Sequence, residues 1–384
     1  MFSNKTINYL NLHMGLWTFG NTILNLFGPI YLLKLGLTLP TIAIILGLAN
    51  VVRFFLRPLS LLWTHKIGLK NSAILGTILS AGLYPLLFLA NGNPIWIWIL
   101  IFYMALAGVS YWLPFHAFYA IAGNLEKRGK QIAVREILML VFSTAAPIVS
   151  GFLTFYFGFW ALYVLGMLTT LLAAWPLLHT IENNTNERMT LRHAITKIDR
   201  RGFGLAIGDG IFAQAEVFIW TIFVYYLAKN LIVLGWVLGL QIFLSSALTF
   251  LLGGLIDRGK GQKLFLVGVI GLSAVLMGRT FSVHTITDVV ITQVLFALLS
   301  VFYIGPFSTV FYNMSKQTKN TLWFHFFAEA GYDLGSIIVL FSTAALILGG
   351  FRIQQLLPMG ITGLLIAKFV LDSYYTPTKR RHPH

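Results

Sequence analysis

The chain has 384 residues, of which 57% are hydrophobic and only 10% are charged, and its formal net charge is +15. The apolar residues form long runs, which excludes an ordinary soluble globular domain. The absence of cysteine excludes disulfides and thiolate chemistry.

Apolar segments of membrane-spanning length recur from one end of the chain to the other. About 20 apolar residues cross a hydrocarbon core about 30 Å thick. The sequence therefore predicts an all-α membrane protein with twelve transmembrane helices. The predicted spans are residues 8–35, 40–63, 71–90, 94–121, 131–156, 158–180, 203–229, 232–256, 263–281, 287–314, 320–348 and 353–372.

Basic residues concentrate in alternate loops. If the amino terminus is cytoplasmic, 19 basic residues of the loops and tails lie on that side and four, Lys34, Lys229, Arg279 and Arg352, lie on the other. This asymmetry predicts a multi-pass protein of the cell (inner) membrane with both termini in the cytoplasm. The net charge then reflects topology and contact with anionic lipid headgroups, and no nucleic-acid partner is expected.

The longest polar stretch between spans runs from His179 to Gly202 and divides six predicted helices from six. We therefore expect an N-terminal six-helix bundle (1–180), a cytoplasmic linker (181–202) and a C-terminal six-helix bundle with a short basic tail (203–384). The sequence YWLPF at 111–115 recurs as YIGPF at 303–307, 192 residues later. These features predict two parallel six-helix pseudo-repeats, related by an axis along the membrane normal.

Three segments carry a resemblance to a known family. The stretch GGLIDRGKGQK, residues 253–263, resembles the glycine, aspartate and basic signature of the major facilitator superfamily. SLLWTHKIGLK at 60–70 is a degraded first-half copy with His65 in place of the aspartate, and APIVSG at 146–151 is similar to the antiporter motif of that superfamily. The resemblance implies the major facilitator fold, with a substrate cavity between the two halves and transport by alternating access.

Charged residues enter spans two and eleven in pairs. Arg53 and Arg57, like Glu329 and Asp333, are four residues apart and share a helix face. The resemblance implies that these two spans pack together across the gap between the halves. A pair such as Arg53 with Glu329 would neutralise two buried charges, either as a gate or as a permanent structural ion pair.

A second gating or structural contact is expected at the cytoplasmic ends of spans five and eight. Arg135 begins span five, and Asp257 and Arg258 follow span eight. We expect Arg135 to reach Asp257.

Span seven carries two acidic residues. Asp209 and Glu216 are seven residues apart, which places them two turns apart on one face of a regular helix. Removal of water disfavours the charged form of a carboxyl, which suits a group that takes up and releases a proton in each cycle. Glu216, the deeper of the two, is the first candidate for proton coupling, with Asp209, Glu329 and Asp333 as further proton or substrate sites. The alternative is a protonated or water-solvated carboxyl that only lines the cavity.

Aromatic residues are frequent in the predicted cavity helices. They suit an amphiphilic or ring-bearing substrate, although ordinary helix packing also explains them. The candidates are Trp17, Tyr111, Trp112, Trp220 and Tyr303. Three intramembrane histidines, His13, His116 and His325, are expected to be hydrogen-bonded packing residues.

The sequence has no motif of a zinc protease, a serine hydrolase or a phosphate-binding loop. We therefore expect a monomeric transporter and not an enzyme, with no metal and no cofactor. Its partners are expected to be protons, membrane lipids and a small, amphiphilic solute, with efflux or antiport favoured over uptake. The alternatives are a flippase for a lipid or lipid-linked sugar, and a non-transporting receptor or assembly factor on the same fold.

Overall fold

The structure is a computed structural model that describes residues 5–90, 93–122, 128–181, 200–255, 261–318 and 321–375. Its regular elements are helical. In chain order they are α1 (Lys5–Lys34), α2 (Leu39–Leu89), α3 (Pro94–Ala122), α4 (Arg128–Phe157), α5 (Phe159–Leu178), α6 (Arg200–Gln214), a π turn (Ala215–Trp220), α7 (Thr221–Ala228), α8 (Leu231–Leu255), α9 (Gly261–Ser282), α10 (Ile286–Gln317), α11 (Thr321–Leu348), a 3₁₀ turn (Ile353–Leu356) and α12 (Met359–Tyr375).

Ten helical stretches in the described ranges are long and apolar enough to cross a membrane. The segment from α6 through the π turn to α7 counts as one of them. α1 is not among the ten, although it is 30 residues long. It carries polar residues such as His13, Asn21 and Asn25 along its length. The prediction of an all-α membrane protein is confirmed.

α2 covers the two predicted spans, 40–63 and 71–90, and corrects only the expectation of a loop between them. Its 51 residues would extend about 75 Å as a straight helix, more than twice the hydrocarbon thickness. The backbone is helical on both sides of Gly68, whose φ of 82° and ψ of 170° break the helix. Glycine takes a positive φ without a steric penalty, so one residue replaces the expected loop.

The chain folds back at Gly68, because both parts of α2 pack on the same stretch of α3. A Cβ atom on Gly108 would lie 2.8 Å from Cδ of Arg53, and one on Gly76 would lie 2.6 Å from the backbone of Tyr111. A straight helix would separate residues 53 and 76 by about 35 Å. The first part of α2 thereby remains next to α3 and can also reach α11.

Small residues bring helices from the two halves of the chain into backbone contact. A Cβ on Gly151 of α4 would lie 2.5 Å from the Leu231 carbonyl oxygen, and one on Gly235 of α8 would lie 2.3 Å from the Pro147 carbonyl oxygen. Close approach at glycine is a usual mode of helix association in membranes. The segment that resembles the antiporter motif, residues 146–151, therefore forms the contact between α4 and α8.

Candidate functional site

A cavity of about 530 Å³ lies between helices from the two halves of the chain. Its volume is typical of a site for one small molecule. Helices α1, α2 and α3 line one side, and α6, the π turn, α10 and α11 line the other. The predicted site residues that line it are Trp17, Arg53, Tyr111, Trp112, Asp209 and Glu329.

An ion-pair network joins α2 to α11 beside this cavity. Arg53 donates from Nε to Oδ1 of Asp333 at 2.6 Å, and Arg57 donates from Nη2 to Oδ2 of the same carboxylate. Nη1 of Arg57 lies 3.7 Å from Oε2 of Glu329. Asp333 is fully buried, whereas Arg53 and Glu329 each keep 21% of the side chain exposed. Two guanidinium groups thus balance two carboxylates between the halves.

The pairing within this network differs from the predicted contact of Arg53 with Glu329. Arg53 forms an ion pair with Asp333, and Arg57 forms ion pairs with both Asp333 and Glu329. The two helices therefore run antiparallel here, because Arg53, the earlier arginine in the chain, pairs with Asp333, the later acid, and Arg57 reaches back to Glu329. The faces that meet were predictable from the four-residue spacing, but the partner of each charge depends on the relative direction of the helices.

His116 and His325 extend the network toward α3 and form a pair that the sequence did not indicate. Their rings stack across the two halves with centroids 5.4 Å apart. Nε2 of His116 lies 3.9 Å from Oε1 of Glu329, and Nε2 of His325 lies 3.3 Å from the Ser315 hydroxyl. The two imidazoles therefore form part of the contact between α3 and α11.

Asp209 of α6 lies on the cavity wall without a charge partner. No hydrogen bond or ion pair joins its carboxyl to another residue in the part of the chain that the structure describes. The residue is half-buried, and the charged neighbour that acts on it is the like-charged Glu329. An intramembrane carboxyl with this environment is costly, which makes Asp209 a candidate functional residue.

Glu216 has a partner that sequence analysis missed. Nη1 of the fully buried Arg279 donates to its two carboxylate oxygens at 2.7 and 2.9 Å. The guanidinium carbon lies 3.9 Å from the ring centroid of Trp220 and 4.6 Å from that of Phe296, within cation–π range. Gln293 accepts hydrogen bonds from Arg279 and from Nε1 of Trp220.

This cluster corrects two expectations. Arg279 is not an outer-loop residue but lies in the last turn of α9, fully buried. Glu216 does not line the cavity, whereas Asp209 and Val217 do. The helix changes to π geometry at Ala215, so the seven-residue spacing no longer places both acids on one face.

The aromatic candidates divide into two groups. Trp17 stacks on Tyr111 at 4.1 Å between centroids and makes an edge contact with Trp112 at 4.8 Å, and all three line the cavity. Trp220 packs on Arg279, and Tyr303 is buried in the second half, so neither lines the cavity. Sequence alone did not separate them, because both groups fall on helices of the same character.

The predicted contact of Arg135 with Asp257 lies outside the described residues, as does Arg258. Arg135 pairs with the adjacent Glu136 at 2.6 Å, and its guanidinium lies 4.9 Å from the ring centroid of Tyr119. Within the described ranges, no three or more His, Cys, Asp or Glu side chains gather where they could hold a metal ion.

Comparison with known families agrees with this architecture. A sequence model described as Major Facilitator Superfamily matches residues 14–349. The chain therefore belongs to the major facilitator superfamily and is a multi-pass membrane transporter. Members of this superfamily are generally transporters and not enzymes. A search among curated proteins found no significant match.

Proposed function

We propose that the protein is a proton-coupled secondary active transporter, which moves a small amphiphilic solute by alternating access, with efflux or antiport as the favoured direction. The observation that carries this proposal is the position of Asp209. It lies on a cavity between the two halves with no partner in the described structure and with Glu329 as its charged neighbour. A carboxyl that gains water when a cavity opens and loses it when the cavity closes changes its affinity for a proton between the two states.

Glu216 is no longer the first candidate for this role, because Arg279 holds its carboxylate in a buried ion pair away from the cavity. Asp209 and Glu329 replace it as the proton sites. Asp333, with two guanidinium partners and no exposure, has a gating or structural role together with Arg53 and Arg57.

We further propose the twelve-span arrangement in two pseudo-repeats, 1–180 and 203–384, joined by the linker 181–202. The fold-back at Gly68 supports two spans within α2. A second observation supports the repeat. A Cβ on Gly76 of α2 would lie 2.6 Å from the backbone of Ser110 and Tyr111 in α3, and a Cβ on Gly268 of α9 would lie 2.7 Å from the backbone of Phe302 and Tyr303 in α10. The three residues of the second contact lie 192 positions after those of the first.

In this arrangement a monomer in the cell (inner) membrane has both termini in the cytoplasm. Its halves meet through α2 with α11 and through α4 with α8. The ion pairs between α2 and α11 can separate and reform as the halves move, whereas the Glu216–Arg279 pair lies within the second half and moves with it.

The proposal is tested in proteoliposomes that contain a pH-sensitive dye. Candidate solutes are added one at a time, and proton movement is recorded. A transported solute is expected to drive proton flux, and Asp209→Asn or Glu329→Gln is expected to abolish that flux. In Glu329→Gln, solute exchange without net proton movement is expected to remain. Asp372→Asn, which changes a carboxyl that pairs with Lys368 on α12, is the matched control. Solute transport that is independent of pH in the parent protein would overturn proton coupling.

The same vesicles separate the other functions on this fold. Movement of a labelled lipid between leaflets, without solute transport, would identify a flippase. Neither activity in a folded protein would indicate a receptor or an assembly factor.

A further inference from the structure

The charges around the cavity do not cancel. Arg53 and Arg57 face Asp333 and Glu329, so this group of four has a formal charge of zero. Asp209 adds one negative charge, and no cation in the described structure forms an ion pair with it. Arg135, a further cation near His116, is paired with Glu136. His116, which also lines the cavity, already faces Glu329 and stacks on His325. The cavity thus carries one surplus acidic group, and Glu329 repels it.

This balance disfavours an anionic solute. The guanidinium of Arg53, the arginine that lines the cavity, is engaged by Asp333 and donates from Nη2 to Asn50 at 2.6 Å. An anion would have to break these contacts and approach Asp209 and Glu329. A monovalent cation would instead satisfy Asp209 and remove its repulsion with Glu329.

Part of the cavity wall is aromatic, on both of its sides. Trp17 and Trp112 meet edge to face, and Trp112 stacks on His116 at 5.4 Å between centroids. Phe307 and Phe311 line the opposite side. Aromatic faces attract cations and pack well against flat apolar rings.

We propose that the cavity binds a monovalent organic cation with an aromatic body, whose charge lies at Asp209 and whose rings pack against Trp17 and Trp112. This proposal rests on the transport function proposed above and names its substrate class. A volume of about 530 Å³ accommodates one such molecule.

The test uses two probes of the same shape and opposite charge, tetraphenylphosphonium and tetraphenylborate, on the purified full-length protein in detergent. Binding is measured by the rise in melting temperature and by quenching of tryptophan fluorescence. Tetraphenylphosphonium is expected to bind and tetraphenylborate is not. Asp209→Asn is expected to weaken cation binding by about tenfold or more, since it removes the charge partner. Asp372→Asn is expected to leave binding unchanged.

Equal binding of the two probes, or preferential binding of tetraphenylborate, would overturn the proposal, as would full affinity for the cation in Asp209→Asn. Trp112→Leu provides a second variant, which is expected to weaken binding without changing the preference for positive charge.

The outcome is separable from that of the transport proposal. If other solutes drive proton flux in vesicles while neither probe binds, the cation site is wrong and proton-coupled transport stands. If the cation binds through Asp209 but no solute moves protons, the site stands and the coupling is wrong.

Discussion

Asp333 and Glu329 lie one turn apart on α11 but differ in their surroundings. Asp333 accepts from two guanidinium groups and is fully buried, whereas Glu329 meets Arg57 at 3.7 Å and is partly exposed. We expect Asp333→Asn to destabilise the protein more than Glu329→Gln, because loss of one partner from a buried ion pair costs about 3 to 5 kcal/mol. Thermal unfolding of the two purified variants measures the difference, and equal melting temperatures would contradict the assigned pairing.

At the residue scale, sequence spacing predicted which faces of α2 and α11 meet. It did not predict that Arg279 is buried. This residue lies three positions before the end of α9, where a charged side chain usually reaches the membrane surface. Its inward orientation depends on Glu216, Trp220 and Gln293, which come from other elements. No single segment of the sequence contains that information.

The π turn is the element that this buried arginine contacts through its two ends. Arg279 binds Glu216 and packs on Trp220, at opposite ends of the turn, while Val217 between them lines the cavity. Arg279→Met removes the cation that neutralises the Glu216 carboxylate, so we expect the turn to rearrange. A cysteine that replaces Val217 in this cysteine-free chain should then react at a different rate with a soluble thiol reagent.

A cysteine that replaces Ser308, on α10 of the same cavity, is the control and should keep its rate. Adding Glu216→Gln to Arg279→Met removes the unpaired charge and should restore part of the original rate at position 217. An unchanged rate at position 217 in Arg279→Met would show that the turn does not need the arginine.

Glycine contacts give a prediction for helix packing. Gly76→Ala and Gly268→Ala each place a Cβ within 2.7 Å of the backbone of a neighbouring helix, so both should destabilise the protein. Gly278→Ala in α9 meets no atom within 4 Å and should be neutral, or stabilising by about 0.5 to 1 kcal/mol through helix propensity. Melting temperatures measure all three. Similar losses in all three would show that helix conformation, and not backbone contact, sets the effect.

Among the elements, the bounds of most predicted spans agree with the observed helices to within a few residues, because long apolar runs define them. The connection within α2 was wrong, since polar residues at 64–70 suggested a loop while a single glycine makes the break. The π turn was not predictable either. Its residues Glu216 and Trp220 make tertiary contacts with Arg279 and Gln293, and periodicity does not report such contacts.

Whole-molecule topology follows from the distribution of basic residues and can be tested directly. We expect a cysteine that replaces Thr196, in the proposed linker between the halves, to be protected in intact cells from a membrane-impermeant reagent, because the proposed orientation places this linker in the cytoplasm. A cysteine that replaces Thr38, in the connection between α1 and α2, should react. Reaction at position 196 from outside would contradict the orientation.

The superfamily and the position of the cavity between two halves could be predicted from the sequence, through the resemblance of its motifs. Which acids face that cavity could not. Asp209 and Glu216 fall on the same predicted span. The side chain of Glu216 does not line the cavity, because it pairs with Arg279 of α9. The assignment of proton coupling to Asp209 and Glu329 therefore depends on packing between helices.

We propose that protons at Asp209 and Glu329 drive the two halves between two arrangements. The most direct test is to measure distances between spin labels at positions 38 and 352 on the outer side, and at 66 and 263 on the cytoplasmic side, in nanodiscs at mildly acidic and mildly alkaline pH. We predict that one distance lengthens as the other shortens, and that Asp209→Asn with Glu329→Gln removes this response. Distances that do not change with pH, or that lengthen together on both sides, would contradict the account.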